Sequence, residues 1–314
     1  MVYLRLNRAP CLILALILLS KAVFGTNLDK ANQFYNQQKY KEAIPLYKKA
    51  AGEGENPAIC NFNLANAYFQ LDSLPQSIIY YKSMLTHAPD FFRGHLNLAI
   101  AYYTLEDFGE CIAALNRALQ ITPDHEKALL VLAACYRRLK AYPEAVTTFE
   151  KITVLNPQNE DAYLSIAEIY RELNDIDEAI KWLSIYPDWG NNEQKVNIFL
   201  AELYESKGDL DKALYYLKLS FEKESSNSWM MYRIVLLLEK SGNDMVALEE
   251  AKRGLQLFPE FAELALLAGN LSFRQQLYDQ AAVYYTLARD RGNPGAVTGL
   301  ENVRLIKNRE KMSK

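Results

Sequence analysis

Residues that commonly carry chemistry are scarce in this 314-residue chain. Histidine occurs three times, as His87, His95 and His125. The spacing predicts His87 and His125 in connecting loops and His95 on a helix, so no two histidines stand at helical spacing and no His/Cys run has metal-ligand spacing. A glycine-rich loop of the kind that cradles phosphates is absent. Carboxylates are plentiful, but with no basic or nucleophilic partner set they read as the solvated faces of helices. The expectation is a protein that is not an enzyme, with no catalytic residue, no metal ligand and no cofactor.

Long apolar runs are missing as well. The run that follows Arg5 and Arg8 covers residues 11–19 before Lys21 interrupts it, about half of the roughly 20 residues a membrane-spanning helix needs. A cleaved secretory signal over residues 1–25 fits this pattern, with Val23 and Gly25 before a processing site at Thr26 and Ala22 as a second candidate. The alternative is an uncleaved membrane anchor. Cys11 opens the apolar run instead of following it, which argues against lipid attachment. An excess of positive charge is also lacking. Without Arg5, Arg8 and Lys21 the 35 basic residues become 32 against 38 acidic ones, a net of about −6. That sign disfavours nucleic acid as a partner. The expected location is the periplasm or another extracytoplasmic compartment.

What the chain does have is a repeat. Half its residues are hydrophobic and 21 are tyrosine, ample for a continuous core. Residues 126–157 read Leu129, Leu132, Ala133, Tyr136, then Tyr142, Glu144, Ala145, Phe149 and Pro157. Steps of 34 residues from Ala133 give Ala31, Ala65, Ala99, Ala133, Ala167, Ala201, Val235 and Gly269. The same steps from Ala145 give Ala43, Ser77, Cys111, Ala145, Ala179, Ala213, Ala247 and Ala281. A third series, Phe34, Tyr68, Tyr102, Tyr136, Tyr170 and Tyr204, weakens to Leu238 and Ser272. Two small positions let paired helices approach closely while large residues fill the space around them. Pro75 and Pro143 fall where second helices begin, Glu110, Glu144 and Glu178 suit their positive ends, and Pro89, Pro123, Pro157 and Pro259 end them. Gly208 with Asp209, and Gly242 with Asn243, mark tight turns between paired helices.

This pattern resembles the tetratricopeptide repeat (TPR) family, whose unit is a helix, a turn and an antiparallel helix. The resemblance implies an all-α fold, a right-handed α-solenoid superhelix of about eight repeats over residues 26–295. Residues 296–314 are expected to form a capping helix and basic tail. Its apolar stripe is Leu300, Val303 and Ile306, and its outer faces carry Glu301, Arg304, Lys307, Arg309 and Lys311. The tryptophan frequent near the start of the family's first helix is replaced, for example by Asn61 and His95. The fifth repeat closes early through Pro187, Asp188, Trp189, Gly190, Asn191 and Asn192, which leaves room for repeats 1–5 and 6–8 to pack as two slightly offset blocks, but one solenoid is expected. Cys111 and Cys135 fall on neighbouring helices, where they either bridge or pack as small buried thiols, and packing is the expected state.

The resemblance places a binding surface on the first helices. Repeats 1–4 offer Asn32, Tyr35, Phe62, Asn63, Asn66, Phe69, Arg93, Leu96, Asn97, Tyr103, Lys127, Arg137 and Arg138, whereas repeats 5 and 6 offer Asp161, Glu168, Glu172, Glu202 and Glu205. Asparagine can bond both the N–H and the C=O of an extended peptide. Arg93 and Lys127, one repeat apart, favour acidic side chains or a free carboxylate. The family's carboxylate clamp is matched only partly, since Leu28 stands where a lysine and Asn97 where an arginine is typical. The candidate partner-binding residues are Asn32, Asn63, Asn66, Arg93, Asn97, Lys127 and Arg137. They would serve an exported scaffold that binds a protein or extended peptide as a non-enzymatic adaptor. A membrane-anchored scaffold, and an accessory module of a glycan- or peptide-processing enzyme complex, are the alternatives.

Overall fold

The computed structural model describes residues 26–186 and 193–312, with helices and no strand among them. The proposed leader, residues 1–25, and the early closure at residues 187–192 lie outside the described residues.

The chain divides into two compact units, one up to Pro157 and one from Gln158. The first unit pairs α1 (Asn27–Asn36) with α2 (Tyr40–Gly52), α3 (Pro57–Gln70) with α4 (Leu74–His87), α5 (Phe92–Thr104) with α6 (Phe108–Ile121), and α7 (Glu126–Arg138) with α8 (Tyr142–Leu155). The second pairs α9 (Glu160–Glu172) with α10 (Ile176–Ser184), α11 (Glu193–Lys207) with α12 (Leu210–Lys223), α13 (Ser228–Lys240) with α14 (Asp244–Leu257), and α15 (Ala262–Arg274) with α16 (Tyr278–Asp290), then ends in α17 (Gly295–Met312). Each unit is an α-solenoid of stacked helix hairpins. The division falls after the fourth hairpin. Ala179, Ile180 and Leu183 of α10 share one core with Val196, Phe199, Leu200 and Leu203 of α11, so the short α10 stays packed on its successor.

Every residue of the two small series is buried, from Ala31 and Ala43 to Gly269 and Ala281. The close approach they permit is tightest at the end of the second unit. A Cβ on Gly269 of α15 or on Gly299 of α17 would stand 2.6 or 2.5 Å from the ring of Tyr285, so the bare backbone at both glycines clasps that phenol. Val303 of α17 is buried, Leu300 and Ile306 are half-buried, and Lys307 pairs with Asp279 of α16.

The turns inside the hairpins carry the most regular feature of the backbone. Gln38, Asp72, Glu106, Lys140, Asn174, Gly208, Gly242 and Gln276 stand 34 residues apart, and all are left-handed, with φ from 55° to 82°. At each, the following N–H donates to the carbonyl five residues back, as Lys39 does to Phe34 at 2.9 Å and Ala141 to Tyr136 at 2.9 Å. The acceptors are the aromatic series itself, so one position both fills the hairpin and closes its first helix. Two of the eight turns use glycine; the others hold a side chain where a Cβ costs about 1–2 kcal/mol. Lys140→Gly is therefore expected to stabilise the first unit by about 0.5–1 kcal/mol after the entropy of the unfolded glycine is set against it. Urea unfolding measures the gain; a loss of stability would mean that the Lys140 side chain contributes more than its backbone costs.

Candidate peptide-binding face of the first unit

The first helices of the first unit place their amides in a ladder. Asn32 Oδ1 accepts from Tyr47 Oη at 2.8 Å and from Asn63 Nδ2 at 3.0 Å. One repeat on, Asn66 Oδ1 accepts from Tyr81 Oη and, at 3.1 Å, from Asn97 Nδ2. Burial pushes the phenols of Tyr47 and Tyr81 well above their ordinary range, which keeps both as neutral donors. The ladder stops where the next positions become Ile100, Leu115 and Val131.

These bonds decide what each amide still offers. An asparagine oxygen has two lone pairs and its nitrogen two hydrogens. Asn32 and Asn66 have used both lone pairs and present N–H only, whereas Asn63 and Asn97 spend N–H within the ladder and keep their oxygens as acceptors. Donors and acceptors thus alternate along half-buried positions, the pattern that an extended backbone complements.

A cavity of about 220 Å³ opens on this ladder, lined by Asn66, Phe69, Gln70, Tyr81, Asn97, Ile100 and Lys127. It brings together three of the seven sequence candidates. Asn32 and Asn63 form the preceding rung. Arg93 stands exposed one turn before Asn97 on α5, and neither it nor Lys127 makes an ion pair or hydrogen bond among the described residues. Arg137 is half-buried at the far end of α7, away from the cavity.

Other expected groove residues serve different ends. Leu96 is core, 6% exposed, because its place faces the hairpin interior. Arg138 reaches back to Glu106 at 2.8 Å and lies over the Phe108 ring, at the turn end of the helices. Two carboxylates of the acidic middle are neutralised: Glu202 pairs with Arg171 at 3.7 Å and Arg233 at 3.4 Å, and Glu205 with Arg233 at 3.9 Å and Lys240 at 3.2 Å. Those cations come from neighbouring repeats, so the sequence of one repeat does not reveal the pairing. Glu205, Arg233 and Lys240 line a cavity of about 330 Å³ with Leu236, Leu237 and Glu239.

Cys111 and Cys135 are free, fully buried thiols whose Sγ atoms lie 3.1 Å apart, with the Cys111 thiol pushed up by its hydrogen bond with Cys135 and by burial. His87 ends α4 instead of lying in a loop; His125 caps α7 through Ala128 N–H and packs on Phe92, and His95 bonds Pro89 O. Among the described residues no group of His, Cys, Asp and Glu is placed to hold a metal ion, and no helix is long and apolar enough to cross a membrane.

Comparison with known proteins follows the same register. Tetratricopeptide repeat models match residues 28–90 and 141–203, and the model of anaphase-promoting complex, cyclosome, subunit 3 matches residues 93–152. No curated protein matches the sequence significantly. Among solved structures, the chain is similar to a tetratricopeptide repeat protein from Parabacteroides merdae, at 16% identity, covering 85% of this chain and 99% of that one, with a TM-score of 0.46. It is similar to YrrB, described as a TPR protein with an unusual peptide-binding site, at 17% identity over 59% of this chain and 95% of that one, with a TM-score of 0.45. In the structure of Naa15/Naa10 bound to HypK-THB it aligns at 16% identity and a TM-score of 0.51, over 88% of this chain but 48% of the matched one. With the family models spread along one unbroken register and a helix hairpin at each of its steps, the chain belongs to the tetratricopeptide repeat family.

Proposed function

We propose that this chain is an exported, non-enzymatic adaptor whose first unit binds an extended protein segment bearing acidic side chains or a free carboxylate. The observation that carries the reading is the cavity at which Asn66, Asn97 and Lys127 converge. There, amide groups with unused capacity stand beside a cation that has no protein partner among the described residues. Hydrogen bonds to backbone make such a surface tolerant of sequence, and the cation adds a preference for negative charge. A protein partner is supported further by the Naa15/Naa10 likeness, a complex with other chains. Export is supported by the pattern of residues 1–25 and by Thr26, whose side chain and N–H form a capping box with Asp29 at the start of α1, a natural first residue for a trimmed chain.

Affinity purification of the tagged full-length chain from its native cells tests both halves at once. The bait is expected to begin near Thr26 by intact mass, and its partner to be lost from a Lys127→Glu bait. A bait that keeps Met1 and partitions with membranes would establish the anchored alternative. A partner retained on Lys127→Glu would move the site to another face.

A further inference from the structure

Beside the amide cavity, on the same helix, lies a second opening of different chemistry. It encloses about 240 Å³ and is lined by Ile59, Phe62, Met84, Phe91, Ala58 and Ala88, with Asn56 at its edge. The Asn56 oxygen accepts from the Ile59 N–H at the start of α3, at 3.2 Å, and every other lining side chain is apolar. Met84 is held from behind: a Cβ on Gly94 would stand 2.1 Å from its methyl group, so the glycine lets the thioether sink against α5. Phe62 and Phe91 meet edge to face at 5.4 Å, yet Phe91 remains 39% and Ile59 45% exposed. Five repeats on, Trp229, Tyr232 and Phe261 occupy the places of Ile59, Phe62 and Phe91, and their rings pack on one another at 5.0 to 6.0 Å. In the second unit an indole stands at the place of Ile59 and packs edge to face on its two aromatic neighbours.

Tyr81 stands between the two openings, its buried ring 6.0 Å from Phe62 and its hydroxyl donating to Asn66. Ile59 and Phe62 set the first, Asn66 and Phe69 the second. Seven residues of helix separate them, roughly 10 Å, which an extended chain covers in about three residues.

We propose that the cavity between Ile59, Phe62, Met84 and Phe91 is the specificity pocket of the peptide face, and that it takes one bulky apolar side chain of the partner about three residues from the acidic group that meets Lys127. The inference rests on the proposed function of the same face. It names what that face selects: backbone bonds and one charge accept many sequences, whereas an apolar pocket beside them accepts few. Burial of a leucine or phenylalanine side chain there is expected to raise affinity about ten- to a hundredfold over serine at the same place.

The probe is a display library of random 12-residue peptides panned on the full chain, followed by titration of a fluorescein-labelled selected peptide and its apolar-to-serine analogue. Selected sequences are expected to pair Leu, Ile, Phe or Met with Asp or Glu at a fixed short spacing, and the serine analogue to bind ten- to a hundredfold more weakly. Against Ile59→Glu, an exposed change in the first turn of α3 where an acid suits the helix end, parent and analogue are expected to bind alike. Parent and analogue equal on the wild type, with binding still lost in Lys127→Glu, would overturn this pocket and leave the proposed function standing. No enriched peptide, or enrichment indifferent to Lys127→Glu and Asn97→Ala, would overturn both.

Discussion

Removal of residues 296–314 is expected to destabilise the last repeat by about 4 kcal/mol while leaving the first unit untouched. Full burial of a Val, Leu or Ile side chain contributes roughly 1.5–3 kcal/mol, and α17 supplies buried Val303 with half-buried Leu300 and Ile306. The same deletion strips Gly299 from one side of the Tyr285 ring and opens the apolar face of α15 and α16 to water. Ala296, fully buried, goes with it. Energy in a stack of repeats passes only between neighbours, so the loss stays local and most helicity is retained. The exposed face then gives the truncated chain a new tendency to self-associate. Denaturant unfolding followed by circular dichroism is expected to split into an early transition for the second unit and an unshifted later one, with light scattering rising in parallel. A truncated chain that melts as before and stays monodisperse would remove the capping role from α17.

Several features were legible because one physical demand fixes them one residue at a time. A helix pair that approaches closely needs a small residue at the crossing, so Ala133 and Ala145 located every hairpin, and Pro143 at the first turn located a helix start. The ladder residues were legible as types but not as partners. Asn63 bonds Asn32 across 31 residues, and only stacked helices bring the two together. The acidic middle misled for the same reason, since Arg233 reaches Glu202 from the next hairpin. Of the six left-handed turns without glycine, Asp72 and Asn174 are of types that favour positive φ, but Gln38, Glu106, Lys140 and Gln276 have little such preference, and there the bonds that close each helix impose it. The apolar pocket was half visible. Phe62 stood among the groove residues, but the opening depends on Gly94, whose missing Cβ matters only once Met84 is packed against it.

The charge reversal of Arg93 and Lys127 together carries the largest expected effect on binding. Each is an exposed cation, so each contact is worth less than the roughly 1.5–3 kcal/mol of a shielded charge-assisted bond and more than the near-zero of a free surface pair. Replacement by glutamate also turns attraction into repulsion. The double variant is therefore expected to bind an acid-bearing peptide about thirty- to a hundredfold more weakly at low salt, a change of about 2–3 kcal/mol. The wild type is expected to lose affinity as salt rises, and the variant, whose glutamates repel the peptide's acid, to bind no more weakly as salt rises. Asn63→Ala with Asn97→Ala is expected to weaken peptides of many sequences by a similar factor, because those amides meet backbone. Glu202 and Glu205 do not serve as controls, since removing them unpairs Arg233 and Lys240. Asp161→Asn does: it occupies the place of Lys127 one repeat on, is exposed, and makes no ion pair among the described residues.

Fluorescence anisotropy titration of one labelled acid-bearing peptide into the wild type, the Arg93→Glu/Lys127→Glu variant and the Asp161→Asn variant, each at two salt concentrations with helicity checked alongside, tests the peptide face most directly. The account predicts binding that weakens with salt for the wild type and Asp161→Asn and weak binding that does not fall with salt for the double variant, all three equally helical. Undiminished binding by the double variant with loss in Asp161→Asn would contradict it and place the partner on the second unit.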